Sequence, residues 1–314
     1  MDLSQLIPEL LQGITHFTLG NAIMIVVGGI LIALAVIKEY EPVLLLPIGF
    51  GCILANIPLT GMETELGLFG VLYRAGIKTE LFPLLIFVGV GAMIDFSPLL
   101  SQPKMVLLGA AGQFGIFGTL ILATLLGFPL NQAATIGVIG AIDGPTSIFV
   151  ATKLAPEILA PIAVAAYSYM SLIPIIQPPI MRLMTTKKER LIRMEYAPRP
   201  VSRTALVLFP ILSTVLIGLL VPAATPLIGM LMLGNLLRES HVVERLNQAA
   251  QNEIINIATL FLGLTIGSTM GAAYFLNWQT IGILLLGLLA FGLDTVAGLA
   301  FGKLMSVLSG GSIN

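Results

Sequence analysis

An Asp-Gly-Pro triplet interrupts an otherwise apolar stretch near the middle of the chain, ATIGVIGAIDGPTSIFV at residues 134–150. Pro145 lacks a backbone N–H and crowds the preceding turn, and Gly144 accepts unusual backbone geometry, so a helix cannot pass through unbroken. In hydrocarbon, a broken helix is tolerated only where protein or a small aqueous cavity surrounds the freed backbone groups. The triplet therefore predicts a broken or re-entrant membrane helix.

The composition places the chain among helical membrane proteins. Of its 314 residues, 57% are hydrophobic and 10% are charged, whereas a soluble domain carries about 25% charged residues. The net charge of −1 gives no indication of nucleic-acid binding. A single cysteine, Cys52, excludes internal disulfides and cysteine-based metal clusters, and two distant histidines give no sign of zinc. The N-terminus lacks a basic n-region, so we expect no signal peptide.

Ten apolar segments predict an all-α polytopic membrane protein of about nine or ten membrane segments. They lie at residues 21–38, 42–59, 82–100, 105–128, 134–150, 161–181, 205–224, 226–240, 255–275 and 280–305. We expect an interfacial helix in residues 1–20, a mixed loop at 60–80, and a basic cytoplasmic loop at 182–203. If every segment crosses fully, the N-terminus is inside, and Lys38, Lys104 and Lys153 fall outside.

A weak internal repeat divides the chain into two membrane units. LLPIGFGCILAN (45–56) resembles PLIGMLMLGN (226–235), and IFVGVGAM (86–93) resembles LFLGLTIGSTM (260–270), in the same order. Such duplications build transporters with a site between the repeats. We expect a first repeat at 21–181 and a second, incomplete one at 204–314. If the repeat is inverted, one segment between the copies must be re-entrant. By spacing, the second counterpart of Asp143 falls where the sequence ends.

Asp143 is the leading candidate for an ion site. The carbonyls freed by the break, together with the carboxylate, form an oxygen-rich site suited to a hard cation, and Thr146 and Ser147 follow as further candidates. The alternative is that Asp143 only caps the second half-helix. A carboxylate in an apolar span costs roughly 2.5–3.5 kcal/mol on insertion scales, and Ser or Asn would cap at less cost. We therefore interpret Asp143 as a ligand of a transported cation, with Na⁺ preferred.

Other polar residues in apolar segments are secondary candidates. Asn235 sits at a predicted Gly-containing break, where it offers a neutral carbonyl ligand or a helix C-cap. Asp95, followed by Phe-Ser-Pro, is interpreted as a helix-end cap, and Asp294 is a candidate proton or ion residue near a span centre. Tyr169 either packs with one hydrogen bond or loses a proton when a nearby Na⁺ raises the local charge. Tyr167 points about 200° away on the same helix, so we expect no shared role.

Five blocks resemble one known family. They are GAIDGPTSIF (140–149), AAYSYMSLIPIIQPPIMR (165–182), EYEPVLLLPIGFG (39–51), GNLLRES (234–240) and QNEIINI (251–257). The chain resembles the membrane β subunit of bacterial Na⁺-pumping biotin-dependent decarboxylases, which act on oxaloacetate, methylmalonyl-CoA, glutaconyl-CoA or malonate. The resemblance implies an enzyme component of the inner membrane that decarboxylates carboxybiotin, exports Na⁺ and takes up a proton. A short 60–80 loop favours the acyl-CoA or malonate types.

The resemblance also implies site residues and partners. Asp143 matches the Na⁺ ligand, and Tyr169 matches a tyrosine linked to Na⁺ binding and proton delivery. Asn314 matches the first residue of a further block whose remainder is absent, which implies a C-terminal truncation. The family's carrier signature, Ala-Met-Lys-Met, is also absent, so biotin must come from a separate carrier protein. The expected partners are that carrier, a carboxyltransferase α subunit, a small γ/δ membrane subunit and further copies of the chain.

Two other functions remain open at this point. A Na⁺/H⁺-coupled secondary transporter without decarboxylase activity would use the same midplane carboxylate, broken helix and repeat. A passive membrane anchor for a soluble complex would not need Asp143 at all.

Overall fold

The computed structural model describes residues 11–141, 143–194, 200–311 and 313–314, and all regular structure within them is helical. The helices are α1 (Leu19–Ile37), α2 (Pro42–Ala55), α3 (Leu68–Leu72), α4 (Leu81–Met93), α5 (Ser97–Ser101), α6 (Met105–Gly112), α7 (Phe114–Leu125), α8 (Leu130–Val138), α9 (Gly144–Leu154), α10 (Leu159–Met184), α11 (Lys187–Arg190), α12 (Arg203–Leu220), α13 (Thr225–Ser240), α14 (Glu244–Ala249), α15 (Ile255–Ser268), α16 (Ala272–Phe275) and α17 (Trp278–Leu308). Short 3₁₀ turns cover Ile139–Ala141, Pro156–Ile158 and Pro222–Ala224, and π turns cover Tyr73–Ile77 and Ala250–Ile254.

Five stretches of the described chain are long and apolar enough to cross a membrane. They are α1, α12, α17 and the composite helices Met105–Leu125 and Glu244–Ser268; the bent pair Leu68–Ile77 and Leu81–Met93 would be a sixth if it is counted as one span. The prediction of an all-α polytopic membrane protein is thereby confirmed. The predicted interfacial helix in residues 1–20 lies partly outside the described residues. Residues 11–15 are helical, and α1 begins after a capping box between Thr18 and Asn21.

The predicted mixed loop at 60–80 is partly wrong, because α3 and a π turn occupy its second half. Phe69 and Ile77 are 2% and 1% exposed. These two side chains pack into the core, and burying them stabilises a helix that the mixed local composition does not suggest.

The two sequence repeats interlock: the first helix of each copy packs on the second helix of the other copy. In the first copy α2 lies along α15 of the second, and both end together, since the Asn56 side-chain amide donates to the Met270 carbonyl at 3.0 Å. In the second copy α13 lies along α4 of the first, and the Asn235 amide donates to the Ile94 carbonyl at 2.9 Å. The two asparagines make equivalent contacts, which supports the duplication.

The repeat is inverted. The counterparts α4 and α15 run antiparallel, because Phe82 near the start of α4 stacks on Phe261 with 6.2 Å between ring centroids, while Gln251 donates to the Ala92 carbonyl at 2.8 Å near the end of α4. The simple count of full crossings gave both copies the same orientation. That part of the prediction is wrong, and one segment between the copies must be re-entrant.

The re-entrant segment is the helical hairpin formed by α8 and α9. The Asn131 amide, in the first turn of α8, donates to the Leu154 carbonyl at the end of α9 at 2.9 Å. Next to it, Gln132 donates to Glu157 at 2.8 Å. The hairpin therefore enters and leaves at one face, and its tip is the 3₁₀ turn at Ile139–Ala141 with Asp143.

The basic loop lies at the opposite face, at the end of α10. By the positive-inside rule this face is cytoplasmic, and within the described chain only Arg74, Lys78 and Lys153 lie at the hairpin-base face. Lys38 and Lys104 therefore lie on the cytoplasmic side, contrary to the expectation above. The start of α1 lies at the outer face, since Gly20 contacts Ala272 just before α17 begins there. The expectation of an inside N-terminus fails because it counted the hairpin as a full crossing.

Close helix contacts at glycine make a testable stability prediction. A side chain at Gly91 of α4 would overlap the Leu231 carbonyl of α13, whereas a side chain at Gly29 of α1 would meet nothing within 4 Å. We expect Gly91→Leu to lower the free energy of unfolding by about 3 kcal/mol, because a helix backbone cannot yield to the added atoms. Gly29→Leu should stay within about 0.5 kcal/mol. Thermal unfolding in detergent compares the two, and equal melting temperatures would contradict the crossing geometry.

Candidate functional site

The hairpin tip lies deep in the membrane. Gln279, at the start of α17, donates to Gln132 at the hairpin base at 2.7 Å, and Gly140 near the tip contacts Asp294 of the same helix. About 15 residues of α17 separate these contacts, which is about 22 Å at 1.5 Å per residue. The apolar core of a bilayer is about 30 Å thick. The tip therefore lies deep in the apolar region, as a transport site requires.

The backbone at the tip breaks as the Asp-Gly-Pro triplet predicts. Asp143 is extended, with φ −130° and ψ 101°, and α9 starts at Gly144 with Pro145 in its first turn, where a missing N–H costs nothing. The main-chain carbonyl of Asp143 accepts the Ser147 N–H at 3.0 Å. The Asp143 side chain accepts the Thr146 hydroxyl, and the Thr146 main-chain N–H in the first turn of α9 lies beside it. Asp143 can therefore cap α9 as well, and its role as a cation ligand remains a prediction.

Ser147 joins the two sides of the break. Its fully buried side-chain hydroxyl donates to the main-chain oxygen of Asp143 at 3.0 Å and lies 3.4 Å from that of Val138. Carboxylate, carbonyl and hydroxyl oxygens thus gather within a few residues, which is the ligand type of hard cations. In the part of the chain that the structure describes, no group of three His, Cys, Asp or Glu residues could hold a metal. The donor set fits a monovalent cation such as Na⁺.

The structure places Tyr167 against this break, a contact that the sequence did not reveal. A Cβ added to Gly144 would fall on the Tyr167 ring and 2.7 Å from its hydroxyl oxygen, and Tyr167 is 4% exposed. Tyr169 faces α17, where its hydroxyl donates to the Leu284 carbonyl and its ring meets Phe291 edge-on at 5.9 Å. The two tyrosines diverge as predicted, but helical periodicity alone could not say which one faces the hairpin. The ion-binding role of Tyr169 remains a prediction.

The two candidate asparagines lie elsewhere. The predicted break at Asn235 is wrong, because α13 runs unbroken and Gly234 serves the close approach of α4. Asn235 uses its amide N–H to hold the end of α4, and its buried carbonyl oxygen has no hydrogen bond within the described residues. Asn314 donates to the Arg190 and Ile192 carbonyls at 3.1 and 3.0 Å in the basic loop. Ligand roles for both residues remain predictions.

The structure confirms the interpretation of Asp95 as a helix-end residue. Its carboxylate accepts the Ser97 N–H at 2.8 Å at the start of α5, and it lies 3.9 Å from Arg238. It therefore provides a matched control for variants of the buried aspartates.

A cavity of about 480 Å³ opens at the outer face beside the hairpin base. Glu63, Tyr73, Glu157 and Thr269 are among its lining residues, and burial raises the pKa of Glu63. Glu157 also binds Gln132, so the cavity adjoins the hairpin. Its acidic lining favours cations at this face.

The basic loop makes a prediction about pH. The Thr186 N–H donates to Glu189 at 2.6 Å, and this hydrogen bond, aided by the Thr186 hydroxyl and by Lys303 at 3.3 Å, lowers the pKa of Glu189. A lowered pKa in the folded state contributes stability above the unfolded pKa, and this contribution is lost as pH falls. We expect acid below about pH 4.5 to release the loop from α17, and Glu189→Gln to remove that dependence. Amide hydrogen exchange of residues 186–191 against pH measures it; an unchanged profile in the variant would contradict the contact.

Comparison with known proteins decides the family. The model of the "Na+-transporting oxaloacetate decarboxylase beta subunit" family matches residues 20–314, which include the hairpin and both repeats. The chain belongs to this β-subunit family. It is therefore a membrane subunit of the Na⁺-transporting decarboxylase type, and both the predicted membrane location and the predicted family are confirmed.

Individual relatives support the assignment over almost the whole chain. The chain is 57% identical over 303 residues to "Methylmalonyl-CoA decarboxylase subunit beta" of Veillonella parvula and 55% identical over 303 residues to "Glutaconyl-CoA decarboxylase subunit beta" of Acidaminococcus fermentans; both alignments cover 96% of this chain and 80% of the relative. It is 45% identical over 364 residues to "Oxaloacetate decarboxylase beta chain 2" of Salmonella typhi, covering 96% of this chain and 84% of the relative.

Proposed function

We propose that this β subunit decarboxylates carboxybiotin and uses the reaction to export Na⁺ in exchange for a proton, with Asp143 as a Na⁺ ligand. The observation that carries the proposal is the hairpin tip, where Asp143, Thr146 and Ser147 gather oxygen atoms at a helix break deep in the membrane. Thr146 and Ser147 serve as supporting ligands. Tyr169 and Asn314 remain further candidates by resemblance, and Asn235 remains a candidate neutral carbonyl ligand.

The decarboxylation requires few catalytic groups from this chain. Loss of CO₂ from carboxybiotin is aided by exclusion of water and by a proton donor for the departing nitrogen. The described helices supply a dry interior, and a separate carrier protein supplies the biotin. Moving one charge against 100 mV takes about 2.3 kcal/mol, so the reaction need supply only a few kcal/mol per Na⁺ ion.

The route across the membrane follows from the hairpin. Na⁺ enters from the cytoplasmic face while carboxybiotin is docked near the basic loop, and it leaves through the acidic outer cavity at the hairpin base. The expected carboxyltransferase, biotin carrier and small membrane subunits bind at the cytoplasmic face or beside the helices. A homo-oligomer within the complex is part of the proposal.

The relatives favour an acyl-CoA as the ultimate substrate. The two relatives named for methylmalonyl-CoA and glutaconyl-CoA are 57% and 55% identical, against 45% for the one named for oxaloacetate. The alignment to the oxaloacetate relative spans 364 positions, more than the 314 residues of this chain, so that relative carries inserted residues. This agrees with the short segment at 60–80 and favours the acyl-CoA types.

The test separates the proposal from an ordinary Na⁺/H⁺ transporter. Vesicles containing the chain and its partner subunits receive carboxybiotin on the carrier, and CO₂ release and radioactive Na⁺ uptake are followed together. We expect CO₂ release to need Na⁺, and Na⁺ uptake to need carboxybiotin. Na⁺ uptake driven by a pH gradient alone, without CO₂ release, would instead support the secondary transporter.

A further inference from the structure

Asp294, near the middle of α17, is a buried carboxyl group that has no charged partner among the described residues. It is 6% exposed, and its oxygens make no hydrogen bond of normal geometry within the described residues, although the main-chain N–H groups of Gly115 and Ile116 lie beside them. The only other charged residue of α17, Lys303, donates to the Met184 carbonyl at 3.0 Å and pairs with Glu189 at 3.3 Å near the cytoplasmic end. A buried polar group of this kind needs a specific explanation.

Two main-chain segments press against this carboxyl group. On α7, a Cβ at Gly115 would fall on Oδ1 and Cγ of Asp294. At the hairpin tip, a Cβ at Gly140 would lie 2.7 Å from Oδ2 and 3.1 Å from the Ala290 side chain. The carboxyl group therefore fills the seam between α7, α17 and the hairpin tip, and it touches the part of the hairpin that leads into Asp143.

Among the described residues, no cation of the helices that pack most closely on α17 faces Asp294. The elements packed on α17 are α6, α7, α8, α10 and the tip turn, and the first three contain no titratable residue. The tip brings Asp143, three residues beyond Gly140, and α10 brings Tyr167, Tyr169 and, near its cytoplasmic end, Arg182.

A second polar group lies on the same side of α7. The Thr119 hydroxyl, one turn after Gly115 on the same helix face, is fully buried and also has no partner in the described chain. Asp294 and Thr119 are thus two buried polar side chains without a hydrogen bond of normal geometry in the described chain. This pattern is typical of a place where a proton or water moves, because a purely structural seam would be apolar.

We propose that Asp294 is a proton-binding site whose occupancy is set by the position of the hairpin tip. With the tip packed against it, the carboxyl group is neutral, because a buried ionised carboxylate without a counter-ion is costly in this environment. The facing atoms are glycine main chain and an alanine methyl group rather than a set of oxygen ligands, so the seam suits a proton and not a metal ion. When the tip moves away, water reaches the carboxyl group and the proton leaves.

The inference rests on the proposed function in one respect: Na⁺ binding at Asp143 is the event that moves the tip. Coupling between two sites is reciprocal, so if Na⁺ binding displaces the proton from Asp294, protonation of Asp294 must weaken Na⁺ binding. Asp294 is then a positioning residue for transport that acts through the hairpin, and the proton it exchanges is distinct from any proton on Asp143.

The first experiment measures Na⁺ binding by calorimetry on the purified full chain in lipid nanodiscs at several pH values. For wild type, exchange with one proton predicts about a tenfold change in Na⁺ affinity per pH unit, with weaker binding at lower pH. Asp294→Asn, which has the shape of the neutral carboxyl group, should reduce this change to less than about twofold. Asp95→Asn is the control and should keep the wild-type slope. A full slope in Asp294→Asn would overturn the proposal and assign the proton to Asp143.

Infrared spectroscopy provides a readout that does not depend on transport. We expect a protonated-carboxyl stretching band in wild type at neutral pH that is absent in Asp294→Asn, present in Asp95→Asn, and diminished when Na⁺ is added. If neither wild type nor any variant binds Na⁺, the proposed function fails, but the carboxyl band of wild type still tests the protonation of Asp294. Should the asparagine variant not fold, Asp143→Asn takes its place, because it leaves Asp294 as the buried aspartate beside the hairpin tip: absence of a protonated-carboxyl band in that variant overturns the inference.

Discussion

Replacing Asp143 with asparagine will abolish Na⁺-dependent turnover, with a fall of at least about 100-fold. Loss of a group that only orients a metal ligand typically costs about 10–100-fold, and Asp143 supplies the only full negative charge among the tip oxygens. The Thr146 hydroxyl can still donate to the asparagine oxygen, so the local hydrogen bond survives while the charge is lost. Folding should be unaffected, because a neutral amide at this depth costs less than a carboxylate.

The measurement is CO₂ release from carboxybiotin in membranes, over a range of Na⁺ concentrations, for wild type, Asp143→Asn and Asp95→Asn. Asp95 is also at a helix end, where it accepts the Ser97 N–H, but it lies at the cytoplasmic face far from the tip. Asp95→Asn should retain most activity. Full activity in Asp143→Asn would support the passive-anchor alternative and remove the basis of the ion site.

The break at Asp143 could be predicted from sequence because its causes are local. Pro145 removes an N–H and Gly144 relaxes the backbone, and both effects act within one helical turn. The same holds for Thr146 and Ser147, whose hydroxyl groups can reach the break only because they lie in the first turn of α9. The repeat was likewise visible as similar apolar blocks.

The direction of the hairpin could not be predicted, because its evidence joins distant residues. The hydrogen bond from Asn131 to Leu154 spans 23 positions and has no local signature. Hydropathy treats a segment that turns back as equivalent to one that crosses, so the count of crossings was wrong by one and reversed the orientation of everything before it. Charge asymmetry did not expose the error, since both arrangements leave only three Lys or Arg residues of the described chain outside.

Side-chain neighbours were the least predictable feature. The helical period separates Tyr167 from Tyr169 but leaves the rotation of α10 undetermined. Contact of Tyr167 with Gly144 and of Tyr169 with Leu284 is decided by how α10 seats between the hairpin and α17. Asn235 was mistaken for a break because a glycine precedes it, whereas Gly234 is there to admit α4.

Substitution of Gly144 will show whether Na⁺-dependent turnover requires the hairpin to pack tightly against α10. A Cβ at Gly144 would overlap the Tyr167 ring, which is itself 4% exposed and has little room to move. We expect Gly144→Ala to lower the free energy of unfolding by about 1–3 kcal/mol through overpacking. We also expect it to reduce Na⁺-dependent turnover more than tenfold, because the tip carrying Asp143 is displaced. Gly112→Ala, at a glycine with nothing within 4 Å, is the control and should change neither quantity.

A double-mutant cycle with Tyr167→Leu assigns the effect to this contact. Leucine is shorter than tyrosine and leaves space for the added methyl group, so the double variant should be less destabilised than the sum of the single variants, by about 0.5–3 kcal/mol. Thermal unfolding measures this coupling even if Tyr167 has a role in turnover. Strictly additive effects would mean that α9 does not pack on α10 at Gly144. The ion site would then have to be explained without a hairpin held in place by Tyr167, and the Thr146 and Ser147 contacts alone would have to fix the tip.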